Sequence, residues 1–264
     1  MQTGLAYAYQ EAKSLLKSTE IASVLFAENP VQGDPNKPEL SYSEFGMRHR
    51  ITGNAIYTHV WNDNFTSHFG LFFEVSEGNK FAGAGGNRYS FVYAGDVNGD
   101  GQTGNDLIYI PVSQEDINLV PYEDEGGQTI SPEEQWNKLN AFIEQDDYLK
   151  EHRGEIAERF GAVNPWWWNI DFRFMQDFAF LLGGMRHTFQ LSVDILNLPN
   201  MLNDEWGVRK IASSSATNPL ELVGFDEDGE PNFNYKGATT TTYVDDPGVN
   251  SRWQMQIGLR YFFQ

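Results

Sequence analysis

The chain has no cysteine among its 264 residues, which excludes a disulfide framework, a thiolate zinc site and a cysteine nucleophile. Basic residues are also scarce, because 18 lysines and arginines stand against 37 aspartates and glutamates, for a net charge of −19. Nucleic-acid binding needs clustered Lys and Arg to neutralise phosphates. The composition therefore argues against a nucleic-acid partner and favours divalent cations.

Long apolar runs are missing as well. No stretch of 18 or more apolar residues occurs, so a transmembrane helix is excluded, whereas a membrane β-barrel is compatible with this hydropathy because its strands alternate. The first residues, MQTGLAYAYQEAK, lack the basic and apolar regions of a signal peptide. We therefore expect the chain to be mature, truncated or one part of a longer protein.

What the sequence does contain is a two-residue alternation. Near the end of the chain, every second residue from Trp253 to Phe263 is apolar or aromatic, while Gln254, Gln256 and Arg260 lie between them. This period is typical of a strand between two unlike environments. The pattern recurs and predicts six strands, at about 1–12, 45–61, 65–81, 165–180, 186–198 and 252–263.

The connections between these strands alternate between short and long. Two short turns join strands two to three and four to five, and three long loops cover about 13–44, 82–164 and 199–251. The loops are acidic, with 16 Asp and Glu against 5 Lys and Arg in residues 86–163. This order is typical of outer-membrane barrels, which have tight periplasmic turns and long outer loops.

The sequence thus predicts an all-β fold, a transmembrane antiparallel β-barrel with outer-membrane lipid on one face, a watery lumen on the other and the loops facing the cell exterior. Aromatic girdles at the strand ends are predicted from Trp61, Trp166, Trp167, Tyr261 and Phe263. A soluble β-sandwich with a buried aromatic face would explain the alternation, but not the loop order or the charges on the polar face. The predicted lumen-lining charges are Arg48, Arg50, Glu74, Asp171, Arg173, Asp177, Asp194 and Arg260.

The long middle loop is predicted to contain helices. Ser131 is the expected N-cap of the first, with Pro132 in the first turn and Glu134 completing a capping box. A second helix is predicted over 148–161, and a hairpin around Asp228-Gly229 in the last loop. The exposed aromatics Trp136 and Trp206 could stack on a sugar or peptide ligand, although packing within the loops is the stronger expectation.

Six strands cannot close a membrane barrel alone, since the smallest single-chain barrels have eight, and other stretches carry a family resemblance. The terminal QIGLRYFF resembles the insertion signal of outer-membrane barrels, which the barrel assembly machinery reads, through Gln256, Gly258, Tyr261 and Phe263. Four further stretches resemble the C-terminal third of a TonB-dependent receptor of the Bacteroidetes Oar-like type: NPVQGDPNKPELSYSEFGMRHRI, GDVNGDGQTGNDLIYIP, YLKEHRGEIAERFGAVNPWWWNIDFRFMQDF and LSVDILNLPNMLNDEWG.

The resemblance implies a 22-stranded barrel of which these are the last six strands. It also implies a plug, a box that contacts the energy-coupling protein TonB, and active uptake of a ligand across the bacterial outer membrane. This sequence contains neither plug nor box, so the remaining strands and the plug are expected from the same or a separate chain. The alternative is a barrel that scaffolds a surface or membrane complex without transport, and a third class is a secreted calcium-binding adhesion domain.

The stretch DVNGDGQTGNDL is the sharpest chemical motif. Its oxygen-bearing side chains alternate as in a calcium loop, but Leu107 stands at position 12, where a bidentate acid is expected, and Asp106 lies one position earlier. A structural calcium is therefore one interpretation, and a turn whose side chains bond their own backbone is the other. The candidate ligands are Asp96, Asn98, Asp100, Gln102 and Asp106.

Enzymatic motifs find little support. The five histidines show no metal-binding spacing, and no nucleophile elbow or phosphate loop occurs. We expect no enzymatic activity and no required cofactor.

Overall fold

The computed structural model describes residues 1–16, 21–78, 87–237 and 239–263. Strands make up 43% of it, so the protein is predominantly β. Its main element is one antiparallel sheet of six strands, and their order in the sheet is their order in the chain. The strands are β1 (Gln2–Tyr9), β2 (His49–Asn62), β3 (Phe65–Ser76), β4 (Trp167–Leu182), β5 (Met185–Leu196) and β6 (Gln254–Phe263).

Two-residue turns close the two hairpins of this sheet. Asp63 and Asn64 join β2 to β3, and Gly183 and Gly184 join β4 to β5. The two glycines have φ of 62° and 82°, a left-handed pair that matches the twist of the strands in a hairpin turn and is costly for other residues. All other connections are long, so the long loops leave the sheet at one end.

Several strands are shorter than the alternation predicted. β1 ends at Tyr9, and β2 begins at His49. β5 ends at Leu196 because Asn197 adopts a left-handed conformation, with φ of 54°, and a short helix begins at Leu198. The predicted end of the third strand, 79–81, lies outside the described residues.

The loops contain short helices and two-stranded pairs. The helices are α1 (Ala22–Glu28), α2 (Pro132–Gln145), α3 (Asp147–Glu151), α4 (Leu198–Leu202) and α5 (Ser214–Thr217), with 3-10 turns at Gln114–Asp116 and Val249–Ser251. The antiparallel pairs are Lys13–Ser14 with Ser41–Tyr42, Arg88–Tyr89 with Ala162–Val163, Tyr122–Glu123 with Thr129–Ile130, Lys210–Ala212 with Tyr243–Asp245, and Glu221–Phe225 with Pro231–Asn234. The last pair is the predicted hairpin around Asp228-Gly229. Among the described residues, no helix has the length and apolarity needed to cross a membrane.

Helix α2 begins as predicted. The Ser131 hydroxyl accepts a hydrogen bond from the Glu134 backbone N–H at 3.2 Å, and Pro132 occupies the first turn. The Glu134 carboxylate accepts a hydrogen bond from Lys138 one turn later, at 2.9 Å. Only the serine bond of the predicted capping box is therefore present. The Glu134 side chain instead forms an ion pair with Lys138 on the exposed face of the helix.

The second predicted helix is much shorter than expected, because α3 ends at Glu151. Beyond it, the Gly154 N–H bonds Ile110 O at 2.7 Å and the Ala157 N–H bonds Ile108 O at 2.8 Å. Backbone pairing with a neighbouring extended segment thus replaces the helix that local propensity favours over 152–161.

The hydrophobic core lies in the loops rather than on the sheet. We call residues 21–46, 87–164, 199–237 and 239–251 the loop layer. Its buried cluster comprises Phe91, Tyr93, Ile108, Ile110, Leu119, Leu139, Phe142, Ile143, Leu149, Ala157, Ala162, Ala216, Leu220, Phe233 and Tyr235. The members come from both the second and third long loops, so these loops fold as one packed body.

Backbone hydrogen bonds also join the three loops. The Ala94 N–H bonds Leu220 O at 2.8 Å, which ties the second loop to the third, and the Leu107 N–H bonds Val31 O at 2.9 Å, which ties the second to the first. These bonds satisfy main-chain groups that burial would otherwise leave unpaired.

Candidate functional site

The register of the sheet gathers the apolar residues of all six strands onto one face. Each row across the strands joins residues that the alternation within each strand places on the same face. Two neighbouring rows are Thr3, Ala55, Leu71, Phe172, Ile195 and Met255, and Tyr57, Phe69, Phe174, Val193 and Ile257. We call this surface the apolar face.

The apolar face is largely open. Ile257 is 68% exposed and Leu191 36%, while Phe172 is half-buried. A soluble sandwich would seal these side chains against a second sheet. Contiguous exposed apolar surface of this extent is typical of a surface that contacts lipid or another protein.

Aromatic residues with a polar edge form two belts at the ends of the apolar face. At the end with the long loops lie Tyr7, Tyr9, His49, Trp166, Trp168 and Trp253, and at the end with the turns lie Tyr57, His59, Trp61, His187 and Tyr261. The ring centroids of His49 and Trp166 are 5.9 Å apart and those of His59 and Trp61 are 4.2 Å apart.

The spacing of the belts can be worked from the strands. Tyr57 lies eight positions after His49, and Tyr261 lies eight positions after Trp253. At about 3.4 Å per residue they span about 27 Å of strand. A tilt of about 40° reduces this to about 21 Å across the layer, near the band of about 25 Å typical of outer-membrane barrels.

One predicted girdle residue lies elsewhere. Trp167 is buried, and the guanidinium carbon of Arg209 lies 3.8 Å from the centroid of its ring. The reason is the strand period, which points Trp167 to the opposite side from Trp166 and Trp168.

The opposite surface of the sheet, the polar face, is concave. Its middle holds an open cavity of about 410 Å³, lined from five strands by residues that include Asn54, Phe72, Arg173, Asp194 and Gln256. The register sets Gly70, Arg173, Asp194 and Gln256 in one row. Charged and amide groups therefore line this cavity together with apolar side chains such as Ile56, Phe72 and Leu196.

Seven of the eight predicted lumen charges, all except Arg48, lie in strands on this face, but they differ in their partners. Arg50 forms a two-bond ion pair with Glu74, at 2.6 and 3.0 Å, and Arg173 pairs with Asp194 across β4 and β5. Arg260 lies directly opposite Gln190. Exposed pairs of this kind add little stability, so their main effect is to keep the face polar.

Two of the predicted lumen-lining aspartates bond groups other than arginine. Asp171 accepts hydrogen bonds from the Asn169 side chain and the Asn197 N–H, both at 2.8 Å. Asp177 lies 3.3 Å from His68 Nε2 and accepts a bond from Gln190 at 2.9 Å. Arg48 lies one residue before β2, where its carbonyl accepts a bond from Gln10.

The residues of the resembled insertion signal divide between the two faces. Gln256 and Gly258 belong to the polar face, and Tyr261 and Phe263 to the apolar face. A Cβ at Gly258 would come within 2.7 Å of Ser192 Oγ on the neighbouring strand, so a larger residue there would require the Ser192 hydroxyl to move.

The candidate aromatic ligand contacts differ in exposure. Trp136 is half-buried and packs against the core of the loop layer, whereas Trp206 is exposed. Only Trp206 is free to stack on a ligand in this arrangement.

A buried polar side chain on α2 was missed from the sequence. Gln135 is fully buried; its Nε2 donates to Val120 O at 2.7 Å and its Oε1 accepts from the Tyr235 N–H at 3.0 Å. It therefore links the second and third loops through the core. A single glutamine within a helix carries no local signal that it will be buried.

The acidic motif forms a compact loop stabilised by its own backbone. Asp96 Oδ1 accepts from the N–H groups of Gly99 and Asp100 at 2.8 and 3.0 Å, and its Oδ2 accepts from Gly101 at 2.9 Å. Asn98 Oδ1 and Asp100 Oδ1 accept from the N–H groups two residues further on, at 2.8 Å each. Backbone bonds of this kind occur both in Asx turns and in calcium loops.

The other candidate ligands complete this picture. Asp106 is buried, and its Oδ2 accepts from Val97 N at 2.7 Å and Asn98 N at 3.2 Å. Burial, together with the nearby charges of Asp100 and Asp96, raises the pKa of the Asp106 carboxyl. In the part of the chain that the structure describes, no three His, Cys, Asp or Glu side chains cluster as a metal site. A cation here would need amide and carbonyl oxygens, such as that of Gln102, among its ligands.

Comparisons with protein families, with curated proteins and with solved structures found no match for this chain.

Proposed function

We propose that the sheet is a segment of a β-barrel in a bacterial outer membrane. The observation that carries the proposal is the apolar face, which is continuous across six strands, largely exposed and bounded by two aromatic belts. The concave polar face behind it would line a water-filled lumen. A lipid environment also explains why the hydrophobic core lies in the loop layer and not under the sheet.

The two outer strands of the sheet extend this proposal. Within the described residues, β1 pairs only with β2, and β6 only with β5. In hydrocarbon, unpaired backbone groups along these edges would each cost several kcal/mol. Further strands, from this chain or from others, therefore complete the ring, and the resemblance to Oar-like receptors suggests 22 in all.

We further propose that the complete barrel takes up a ligand across the outer membrane with energy from the TonB complex. The support is the resemblance of four stretches in the expected order, together with a polar lumen face and an acidic loop layer at the end with long loops. In this proposal the exposed Trp206 contacts the incoming ligand.

The uptake proposal is tested by depletion of a defined mixture of sugars, peptides and metal chelates from the medium, followed by mass spectrometry. Strains lacking this protein and strains lacking TonB should fail to take up the same compound. Complementation with the intact gene should restore its uptake. Uptake of every compound by the strain lacking this protein, under conditions in which it is expressed, would contradict the transport proposal.

The same strains address the alternative function. The loop layer has a hydrophobic core of its own, which suits a rigid surface for a partner, and so favours a scaffold as the second candidate. A scaffold predicts unchanged uptake together with the loss of a partner from a cross-linked outer-membrane complex.

A further inference from the structure

The acidic loop of residues 96–106 contains two buried oxygens that its turns do not use. Asn105 is fully buried and Asp106 is 4% exposed. In the described structure, Oδ1 of each is buried and accepts no hydrogen bond. Buried acceptors are normally paired, and an unpaired carboxylate oxygen is especially unfavourable.

Both side chains lie against the loop. The Asn105 Nδ2 donates to Asp100 Oδ2 at 3.0 Å, which places its amide group beside that carboxylate. The other oxygen of Asp106 accepts the Val97 and Asn98 N–H groups, which places this carboxylate against the start of the loop. Asn105 and Asp106 therefore both contact residues 97–100 of this loop, and each keeps one buried oxygen that accepts no hydrogen bond in the described structure.

We propose that this loop binds one Ca²⁺, with the Asn105 and Asp106 Oδ1 atoms among its ligands beside Asp100, Asn98 and the Gln102 carbonyl. Carboxylate, amide and carbonyl oxygens are the ligands of a hard cation, and their irregular arrangement suits Ca²⁺ better than Mg²⁺, which demands a near-ideal octahedron. The ion would also offset the concentration of negative charge in this loop.

Two other turns in the chain provide an internal comparison. Asp124 Oδ1 accepts the N–H groups of Gly126 and Gln128, and Asp226 Oδ1 accepts those of Asp228 and Glu230, at 2.8 to 3.0 Å. These are exposed acidic turns with the same kind of backbone bonding. A turn of this kind therefore forms without buried polar side chains. The proposed ion explains why the loop of residues 96–106 has two of them, Asn105 and Asp106.

The site also joins two loops of the loop layer. The Val31 N–H bonds Asn105 O at 2.8 Å, and Asn98 Nδ2 donates to Gly33 O at 2.7 Å. An ion held by Asn98 and Asn105 would therefore fix the first long loop to the second. We expect calcium to stabilise the whole layer, with a dissociation constant on the order of 10⁻⁴ to 10⁻³ M, as in extracellular modules.

The experiment uses the full chain in whichever of buffer or detergent keeps it monodisperse, so that its outcome does not depend on the membrane proposal. Calcium is titrated by calorimetry, and thermal unfolding is followed with CaCl₂, MgCl₂ or a chelator. We expect one Ca²⁺ per chain, an unfolding midpoint that rises with Ca²⁺ more than with Mg²⁺, and affinity lowered at least about tenfold by Asp106→Asn. Asp226→Asn, which removes the same charge from an exposed turn, should bind as the parent does.

Two results would overturn the proposal: no calcium-dependent shift at about 10 mM, well above the expected dissociation constant, or equal weakening by the two variants, which would indicate diffuse attraction to acidic charge. Because Asp106→Asn could disturb the fold, Asn105→Asp is a second test. It adds a charged ligand, so the midpoint should fall in chelator and rise further with calcium than in the parent. An unchanged dependence on calcium in this variant would also contradict the site.

Discussion

Leu71 and Phe72 are neighbours in β3 that allow a direct test of the two faces. Both are large and apolar, and they are exposed to similar degrees, 44% and 40%. Leu71 belongs to the apolar face, about midway between the aromatic belts, and Phe72 to the polar face, where it stands opposite Asp171 and Asn54. In a water-soluble sheet, replacing either by arginine would have a similarly small effect.

In a barrel the two substitutions should differ strongly. Arginine at the bilayer midplane costs about 2–4 kcal/mol, so Leu71→Arg should lower the free energy of unfolding by about 3 kcal/mol, which is roughly a 150-fold change in the folding equilibrium. Phe72→Arg places the charge in water opposite the Asp171 carboxylate, and its cost should stay within about 1 kcal/mol.

The assay is reversible guanidinium unfolding of the complete protein in lipid vesicles, followed by tryptophan fluorescence. Leu71→Ala and Phe72→Ala serve as matched controls for the loss of side-chain packing. Equal costs for the two arginine variants, after subtraction of these controls, would refute the assignment of the apolar face to lipid. A chain that stays monodisperse without detergent would refute it independently.

Three further predictions concern the loop layer and the turns. Gln135→Ala should leave Val120 O and the Tyr235 N–H buried and unpaired, which should lower the free energy of unfolding by about 2–3 kcal/mol. The loss should be seen as faster hydrogen exchange in the loop layer but not in the six strands. Gln128→Ala, at an exposed position, is the control. Burial raises the pKa of three loop-layer tyrosines to about 12, from 10 in the unfolded chain; their contribution to stability is therefore complete below pH 10 and is lost as the pH rises from 10 to 12, so tyrosinate absorbance should appear together with unfolding of the layer. These tyrosines are Tyr148, Tyr235 and Tyr243. Gly184→Val should cost about 1–2 kcal/mol at its φ of 82° and Gly184→Asn less, because asparagine tolerates the left-handed region; equal costs would count against the turn geometry.

The sheet was predictable from the sequence because the alternation of apolar and polar residues is a local pattern within each strand. The alternation of Phe69, Leu71 and Phe73 with Gly70 and Glu74 indicated both the strand and its faces, and turn residues such as Gly183-Gly184 indicated the hairpins. The strand ends were less predictable. β5 ends because Asn197 adopts a left-handed conformation, and the presence of an asparagine does not by itself specify that conformation.

The loop layer was not predictable in the same way. Its core joins residues far apart in the chain, such as Ala94 and Leu220, and no local pattern specifies which distant segment will pack against another. The early end of α3 has the same origin, because pairing with Ile108 and Ile110 outweighs helical propensity. Likewise, the acidic motif specified its turns, but the burial of Asn105 and Asp106 depends on the segment around Val31.

Pairing of the six strands lowers the loop-closure entropy that the loop layer loses when it folds. β3, β4, β5 and β6 are consecutive in the sheet, so strand pairing fixes the starting and finishing points of the second and third loops within a few strand widths of one another. Most of the closure entropy for contacts between these loops is thereby lost before they meet. The strands should accordingly pair first during assembly, and the loop layer should fold afterwards on the completed sheet.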